Sequence, residues 1–154
     1  MATVAEGKAA PAFTLPASDG TEVSLKDFTG KQQVVLYFYP KDNTPGCTRE
    51  ACEFRNQAAA MEKKGAVVLG VSRDSLASHD QFAQKFKLPF LLLSDEDGAV
   101  CEKYDVIREK NLNGKVVRGI ERSTFVIDRD GKVRKVFRQV KVDGHVDELL
   151  AALD

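Results

Sequence analysis

The sequence predicts an α/β sandwich in which helices flank a mixed central β-sheet. Two continuous apolar runs, 34–39 and 66–71, have the length and the β-branched content of strands that are buried on both faces. The segment between them has the pattern of a helix, so this part of the chain reads as a strand–helix–strand unit. A later strand, hairpin turn and helix over 123–153 add antiparallel pairing, and the two units together favour a mixed sheet.

Length and composition are typical of one globular domain, which we expect to span residues 1–154. The 23 basic and 23 acidic side chains cancel, so neither a nucleic-acid partner nor an acidic arm is indicated. No apolar run reaches the roughly 20 residues of a membrane span, and the first residues lack the apolar core of a signal peptide. Three cysteines are too few for a secreted disulfide scaffold and favour reactive thiols in a reducing cytoplasm.

The first elements come before the first long helix. Residues 13–15 and 21–24 flank a turn signal at 17–20, which predicts a short N-terminal hairpin extension. Residues 25–28 have the pattern of a single helical turn. The run 34–39 then predicts the first core strand, which ends at a proline.

Helices and strands alternate through the middle of the chain. A long helix is predicted over 44–64, since Thr-Pro opens it and Lys-Lys-Gly closes it. The run 66–71 is the second core strand, and 75–87 is a helix with phenylalanines four residues apart on one face. We expect a third strand at 90–93 and a short helix at 97–104.

The last third of the chain returns to β-structure. Residues 107–118 are polar and predict a loop or an irregular hairpin. A fourth core strand is expected at 123–127, and the turn signal Asp-Arg-Asp-Gly at 128–131 leads into an alternating edge strand at 132–138. A helix over 143–153 completes the predicted fold.

The stretch 37–52 combines a strand end, a polar loop and a cysteine in the first turn of a helix. Thr44 is the predicted N-cap, Pro45 occupies the first helical position and Cys47 follows two residues later. Functional sites of α/β sheets form at the carboxyl ends of parallel strands, and this loop lies at such an end. The pattern therefore predicts that Cys47 is a reactive thiol.

Converting a thiol into a thiolate at neutral pH needs more than a helix terminus. An ordinary thiol with a pKa near 8.5 needs roughly 3.4 kcal/mol in favour of the charged form to be mostly ionised. A helix N-terminus supplies at most about 2 kcal/mol, whereas a charge-assisted hydrogen bond supplies roughly 1.5–3 kcal/mol. Arg49 is close to Cys47 in sequence but points to another face of the helix. Arg122, which directly precedes a core strand, is the better candidate for the missing cation.

Four of these residues form a known pattern. The arrangement Pro40-x-x-x-Thr44-x-x-Cys47 resembles the active-site motif of the peroxiredoxins, and Arg122 before Ser-Thr-Phe-Val-Ile-Asp resembles the arginine of that family. Cys52, five residues after Cys47, is similar to the peroxiredoxin Q subgroup, also called bacterioferritin comigratory protein. The resemblance covers residues 10–137.

This resemblance implies a thioredoxin-like three-layer sandwich and peroxide reduction by Cys47, which forms a sulfenic acid that Cys52 resolves as an intramolecular disulfide. Thioredoxin or a glutaredoxin-type protein is the implied reductant, with no cofactor and no metal. Arg122 then stabilises the thiolate, Thr44 bonds the peroxide and Pro40 covers the thiol. The backbone N–H groups of Gly46 and Cys47 form the substrate-binding donors. The resemblance to the subgroup favours a monomer, and the balanced charge and short apolar runs of the sequence predict neither a nucleic-acid nor a membrane partner.

Two other functions are compatible with reactive thiols. A thioredoxin-like disulfide oxidoreductase needs Cys-x-x-Cys, whereas four residues separate Cys47 from Cys52, and it carries a cis-proline where this chain has Ser123. A stoichiometric thiol sensor would consume one peroxide per molecule. A zinc site would need about four ligands, which the cysteine spacing and two histidines do not offer.

Four further side chains are most simply explained without a part in the chemistry. Cys101 is interpreted as a structural residue, and His79 and His145 as surface residues of helices. Glu50 is most simply a favourable charge in the first turn of a helix, with a role in the site as the alternative.

Overall fold

The structure, a computed structural model, describes residues 4–153. A 3₁₀ turn at Leu25–Asp27 follows the second strand. In chain order, the strands and α-helices are β1 (Thr14–Pro16), β2 (Glu22–Ser24), β3 (Gln33–Phe38), α1 (Pro45–Lys63), β4 (Ala66–Ser72), α2 (Leu76–Phe86), β5 (Leu91–Ser94), α3 (Ala99–Lys103), β6 (Ile107–Leu112), β7 (Lys115–Ile120), β8 (Ser123–Ile127), β9 (Val133–Phe137) and α4 (His145–Ala152).

The central sheet has five strands in the order β5-β4-β3-β8-β9. Strands β3, β4 and β5 are parallel, and β8 and β9 join them by antiparallel pairing. The prediction of a mixed sheet is therefore confirmed. Residues 107–118, predicted as a loop or an irregular hairpin, contribute to the regular two-stranded hairpin of β6 and β7.

Strand β3 lies at the centre of the sheet, and all six of its residues are buried. Its side chains alternate between the two faces, as the geometry of a strand requires. Leu36 and Phe38 pack on one face with the β1–β2 hairpin and α3. Val35 and Tyr37 pack on the other face with α1, α2 and α4. The molecule is thus the expected three-layer sandwich, with the hairpin extension in the layer opposite α1.

Helices α1 and α2 begin where local chemistry predicts, and α1 also ends there. Thr44 and Ser75 are the N-caps of α1 and α2, and the Ser75 hydroxyl accepts a hydrogen bond from the Ser78 N–H group. Gly65 stops α1 with a positive φ of 76°, which a residue without Cβ adopts at little cost. Helix α1 starts one loop after the carboxyl end of β3, and this places its first turn at the edge of the sheet where sites form.

Candidate active site

Cys47 is the third residue of α1, and only 1% of its surface is exposed. The Thr48 N–H group donates to the Thr44 carbonyl at 2.9 Å, so the N–H groups of Gly46 and Cys47 precede this α-helical hydrogen bond. Such leading N–H groups lack partners within a helix and carry partial positive charge. The thiol therefore lies where the backbone favours a negative charge.

The cation predicted for this thiol is present in the structure. Arg122, which lies between β7 and β8, donates from Nη2 to Cys47 Sγ at 3.2 Å. Its own carbonyl accepts from the Val140 N–H group at 3.0 Å, which fixes the backbone of the arginine. A Cβ atom on Gly46 would lie 3.2 Å from the same Nη2 atom, so a glycine at this position leaves room for the guanidinium.

Glu50 lies in the site, which the simplest interpretation of the sequence did not predict. It is fully buried, and its Oε1 atom accepts a hydrogen bond from Arg122 Nη1 at 2.6 Å. The simplest interpretation of Glu50, a favourable charge in the first helical turn, is therefore wrong, and the contact with Arg122 supports the alternative of a place in the site. Glu50 lies three residues after Cys47, which is the spacing of neighbours on one face of a helix. This spacing was the sequence signal that Glu50 could face the same arginine as Cys47.

Burial dominates the electrostatics of Glu50. Desolvation raises its pKa to about 7, although Arg122 acts in the opposite direction. Its second carboxylate oxygen, Oε2, has no hydrogen-bond partner among residues 4–153. The carboxylate is thus close to the balance between its two protonation states at neutral pH while it holds the arginine that contacts Cys47.

Within residues 4–153, neither Thr44 nor Pro40 has a hydrogen bond to the Cys47 sulfur. The Thr44 hydroxyl donates to the Lys41 carbonyl at 3.0 Å, which shapes the loop before α1. Pro40 is exposed and lies on the rim of a cleft of about 420 Å³. The other residues that line this cleft are Arg108, Ile120, Glu121, Arg122, Gln139 and Val140. The cleft gives a route from solvent to the Arg122 guanidinium.

All three cysteines are free thiols. Cys52 is half-buried on α1, five residues after Cys47, and α1 is continuous across both. On one continuous helix, that spacing separates the two Cα atoms by about 8.7 Å. A disulfide requires no more than about 7 Å between Cα atoms, so the intact helix keeps the two thiols apart.

Other side chains near the site have different partners. Cys101 is fully buried, and desolvation raises its pKa, so its thiol stays protonated. Arg49 pairs with Asp143 at 2.8 Å and with Glu53 at 3.7 Å, away from the sulfur, as the helix geometry predicted.

The interpretation of both histidines as surface residues is wrong. His79 is fully buried, and His145 is 3% exposed. Each lies on a helix face that packs against polar groups rather than water. His79 contacts Asp42, and His145 Nε2 lies 2.8 Å from the Thr124 hydroxyl. Their polar side chains are buried because hydrogen-bond partners meet them inside the fold.

A buried thiol in the first turn of a helix, an arginine on its sulfur and a second thiol on the same helix together define a thiol-dependent peroxidase on a thioredoxin-like fold. Comparison with known proteins agrees. The model of the AhpC/TSA family matches residues 6–136. The chain belongs to this family, and it is a peroxiredoxin.

Individual relatives place it close to one subgroup. It is 51% identical over 146 residues to peroxiredoxin Bcp of Xanthomonas campestris, with 94% of this chain and 91% of the relative covered. It is 48% identical over 151 residues to peroxiredoxin Bcp of Bacillus subtilis, with 98% of this chain and 96% of the relative covered. A solved structure of Xanthomonas campestris bacterioferritin comigratory protein superposes with a TM-score of 0.90 at 47% identity and covers 96% of each chain.

Among the residues that the structure describes, no helix has the length and apolar character needed to cross a membrane.

Proposed function

We propose that Cys47 reduces hydrogen peroxide and organic hydroperoxides and that Cys52 completes the first half of the cycle. The Cys47 thiolate attacks one oxygen of the O–O bond, the bond breaks, and the other oxygen leaves as water or an alcohol after it takes up a proton. Cys47 becomes a sulfenic acid. The Cys52 thiol then attacks this sulfur, releases water and leaves a Cys47–Cys52 disulfide. The observation that carries this assignment is the 3.2 Å contact between Arg122 Nη2 and Cys47 Sγ.

Each remaining site residue has a role that its position supports. Arg122 stabilises the thiolate and the negative charge that develops on the peroxide oxygens. The Gly46 and Cys47 N–H groups add donors at the helix terminus. Thr44 donates to a backbone carbonyl, but its oxygen keeps lone pairs that can accept from the peroxide O–H group. Pro40, on the rim of the cleft, limits the access of water to the thiol.

Organic hydroperoxides are included because the cleft beside Arg122 is partly apolar. Pro40, Ile120 and Val140 line it next to the guanidinium. A solved structure with a TM-score of 0.90 concerns the alkyl peroxide reduction activity of Xanthomonas campestris bacterioferritin comigratory protein. Hydrogen peroxide needs none of this apolar surface, so alkyl hydroperoxides are the substrates that would use it.

Thioredoxin, or a glutaredoxin-type protein, is the reductant that we propose for the disulfide. The protein then acts as a monomer in the cytoplasm, where such dithiol donors keep thiols reduced. Net charge near zero gives no support to a nucleic-acid or membrane partner.

A coupled turnover assay tests this function. The protein is mixed with thioredoxin, thioredoxin reductase, NADPH and either hydrogen peroxide or cumene hydroperoxide, and NADPH consumption is followed. We expect many equivalents of peroxide to be consumed per protein molecule, and none with the Cys47→Ser variant. The Cys101→Ser variant is the matched control and should turn over normally. Consumption of a single equivalent would instead indicate a stoichiometric sensor, and full turnover by Cys47→Ser would refute the assignment.

A further inference from the structure

A buried polar cluster lies behind the loop that leads into α1. Its centre is the Asp42 carboxylate, which accepts hydrogen bonds from the Tyr39 hydroxyl at 2.6 Å and the Ser78 hydroxyl at 2.8 Å. His79 Nδ1 lies 2.7 Å from the same carboxylate. The side chains of Asp42 and His79 are at most 1% exposed. None of these groups takes part in the proposed chemistry at Cys47, so the cluster needs a separate explanation.

Both ring nitrogens of His79 face acceptors. Nε2 lies 2.9 Å from the Leu93 carbonyl oxygen, which can only accept, so Nε2 carries a proton. Nδ1 faces a carboxylate that already receives two hydroxyl donors. With Asp42 ionised, Nδ1 must also carry a proton, and the ring is an imidazolium. In the alternative arrangement, Asp42 carries this proton and donates it to Nδ1 of a neutral ring.

The hydrogen bonds on Asp42 favour the imidazolium. The titratable groups around the ring are Tyr39 from the end of β3, Asp42 from the loop and Asp74 from the turn between β4 and α2, and one side-chain oxygen or nitrogen atom from each of Asp42, Asp74 and His79 lies within 4.8 Å of the other two. The Tyr39 and Ser78 hydroxyls both donate to Asp42, and a carboxylate that accepts several hydrogen bonds is stabilised in its ionised form. Burial raises the pKa of Asp42, but the hydrogen bonds from His79, Tyr39 and Ser78 outweigh it and hold this pKa below its usual range.

The same pair fixes the backbone that enters the active site. Asp42 lies two residues before Thr44, the N-cap of α1. Its N–H group donates to Asp74 Oδ2 at 2.8 Å, so its backbone and its side chain are both held. Tyr39 is held as well, since its N–H group donates to the Val71 carbonyl at 3.1 Å. The loop 39–44 is therefore tied at these two residues to β4 and to the region around α2.

We propose that His79, as an imidazolium paired with Asp42, is a positioning residue for peroxide reduction: it fixes the loop 39–44 and, through it, Pro40, Thr44 and the first turn of α1. This role rests on the proposed function of Cys47. The pair also makes Asp42 the fixed end of the segment that has to move when Cys47 and Cys52 form a disulfide. The contacts with α2 and the sheet hold Asp42 in place while the start of α1 unwinds.

Nitrogen-15 NMR of the reduced wild-type protein tests the pair directly. At pH 7 we expect both ring nitrogens of His79 to be protonated. The chain contains two histidines, and His145 serves as the internal reference because burial lowers its pKa and leaves it neutral. A His79 ring with a single protonated nitrogen at pH 7 would overturn the proposal.

Variants test the positioning role. In His79→Gln we expect the rate of Cys47 oxidation by hydrogen peroxide, measured by competition with horseradish peroxidase, to fall by at least about 10-fold, because small displacements of a reacting group are costly. Reduction of the Cys47–Cys52 disulfide by thioredoxin should change by less than about 2-fold, since that step uses the unwound segment. Ser78→Ala is the matched control: it removes a neutral donor from the same carboxylate and should leave both rates near those of the wild type.

The comparison of the two rates separates positioning from a general loss of stability. Partial unfolding would slow both steps, whereas a displaced loop 39–44 slows the oxidation of Cys47 alone. If His79→Gln does not fold, Asp42→Asn provides the second variant with the same expectation. A wild-type rate in either variant contradicts the positioning role alone. A wild type that fails to reduce peroxide contradicts the proposed function, and the NMR result on the pair still stands.

Discussion

The buried carboxylate of Glu50 and the guanidinium of Arg122 are joined by a hydrogen bond of 2.6 Å, and the same guanidinium bonds the Cys47 sulfur through its other terminal nitrogen. Arg122 is thus shared between a carboxylate and a thiol. Its orientation toward Cys47 depends on Glu50, which lies on the same helix as the thiol. The arginine therefore links the protonation of Glu50 to the reactivity of Cys47.

Replacing Arg122 with methionine should slow peroxide reduction by about 10- to 150-fold, because one charge-assisted hydrogen bond is worth roughly 1.5–3 kcal/mol. Alkylation of Cys47 by iodoacetamide should also require a higher pH. Arg49→Met is the matched control, since Arg49 pairs with Asp143 and Glu53 instead of the sulfur. An unchanged pH dependence of alkylation in Arg122→Met would show that another group stabilises the thiolate.

Glu50→Gln should be more stable than the wild type at alkaline pH. Burial raises the pKa of Glu50 from 4.5 to about 7, so the folded state binds the proton more tightly than the unfolded state. The free energy of unfolding of the wild type therefore falls as the pH rises from 4.5 through 7, by about 3 kcal/mol at most.

Glutamine mimics the protonated acid and lacks this loss, so the difference between variant and wild type should grow from pH 4 to pH 8. Urea unfolding at both pH values measures it. Glu62→Gln, at an exposed position near the end of α1, is the control and should show no such growth. A pH-independent difference for Glu50→Gln would contradict the raised pKa.

Cys52→Ser should react once with peroxide and then stop. Its Cys47 sulfenic acid has no partner on α1, so the variant cannot pass electrons to thioredoxin through the Cys47–Cys52 disulfide. Intact-mass spectrometry should show one added oxygen at low peroxide and two or three at high peroxide, as the acid oxidises further. Continued turnover by Cys52→Ser at the wild-type rate would assign the resolving role to another thiol.

Formation of the Cys47–Cys52 disulfide should unwind the start of α1. The continuous helix holds the two Cα atoms about 8.7 Å apart, which is too far for a disulfide. Hydrogen exchange should therefore show that residues 46–54 lose protection on oxidation while the strands of the central sheet keep theirs. Peptide mass mapping confirms the bond in the same sample. Equal protection in the two redox states, with the disulfide present, would refute the unwinding.

Gly70→Ala should destabilise the fold by about 1–3 kcal/mol, as overpacked cores do. A Cβ atom at this position in β4 would lie 2.8 Å from Tyr37 Cζ and 2.9 Å from Leu92 Cδ2. Tyr37 stacks on Phe54 of α1, with ring centroids 4.5 Å apart, so the displacement reaches the active-site helix. Gly119→Ala is the control, because a Cβ atom there meets nothing within 4 Å. Equal unfolding midpoints for the two variants would contradict the prediction.

The parts of the fold that follow from periodicity were predictable. The apolar runs 34–39 and 66–71 fall within β3 and β4 with small shifts at their ends, and Thr44-Pro45 marks the start of α1. The contact between Cys47 and Arg122, which are 75 residues apart, could also be predicted. A helix terminus does not supply enough free energy to ionise the thiol, so a cation was needed, and Arg122 directly precedes a strand of the same sheet.

The buried polar residues were not predictable in the same way. Glu50, His79 and His145 lie on helices whose sequence patterns place polar side chains in solvent, and each is buried because a partner from a distant segment meets it. Those partners, Arg122 for Glu50 and Asp42 for His79, become neighbours only when the sheet assembles. Hydrophobic periodicity carries no information about such pairs.

Helix α1 holds both cysteines on one uninterrupted stretch, Pro45–Lys63, and this continuity sets limits on how the protein can evolve. A substitution that strengthens the first turns would keep the thiol ready for peroxide but prolong the lifetime of the sulfenic acid, and so make the enzyme easier to inactivate. A substitution that weakens them would shorten that lifetime and dismantle the pocket before peroxide arrives. The helical propensity of residues 45–54 can therefore be neither very high nor very low. An engineered increase in the thermal stability of this segment should make the enzyme more sensitive to inactivation by high peroxide.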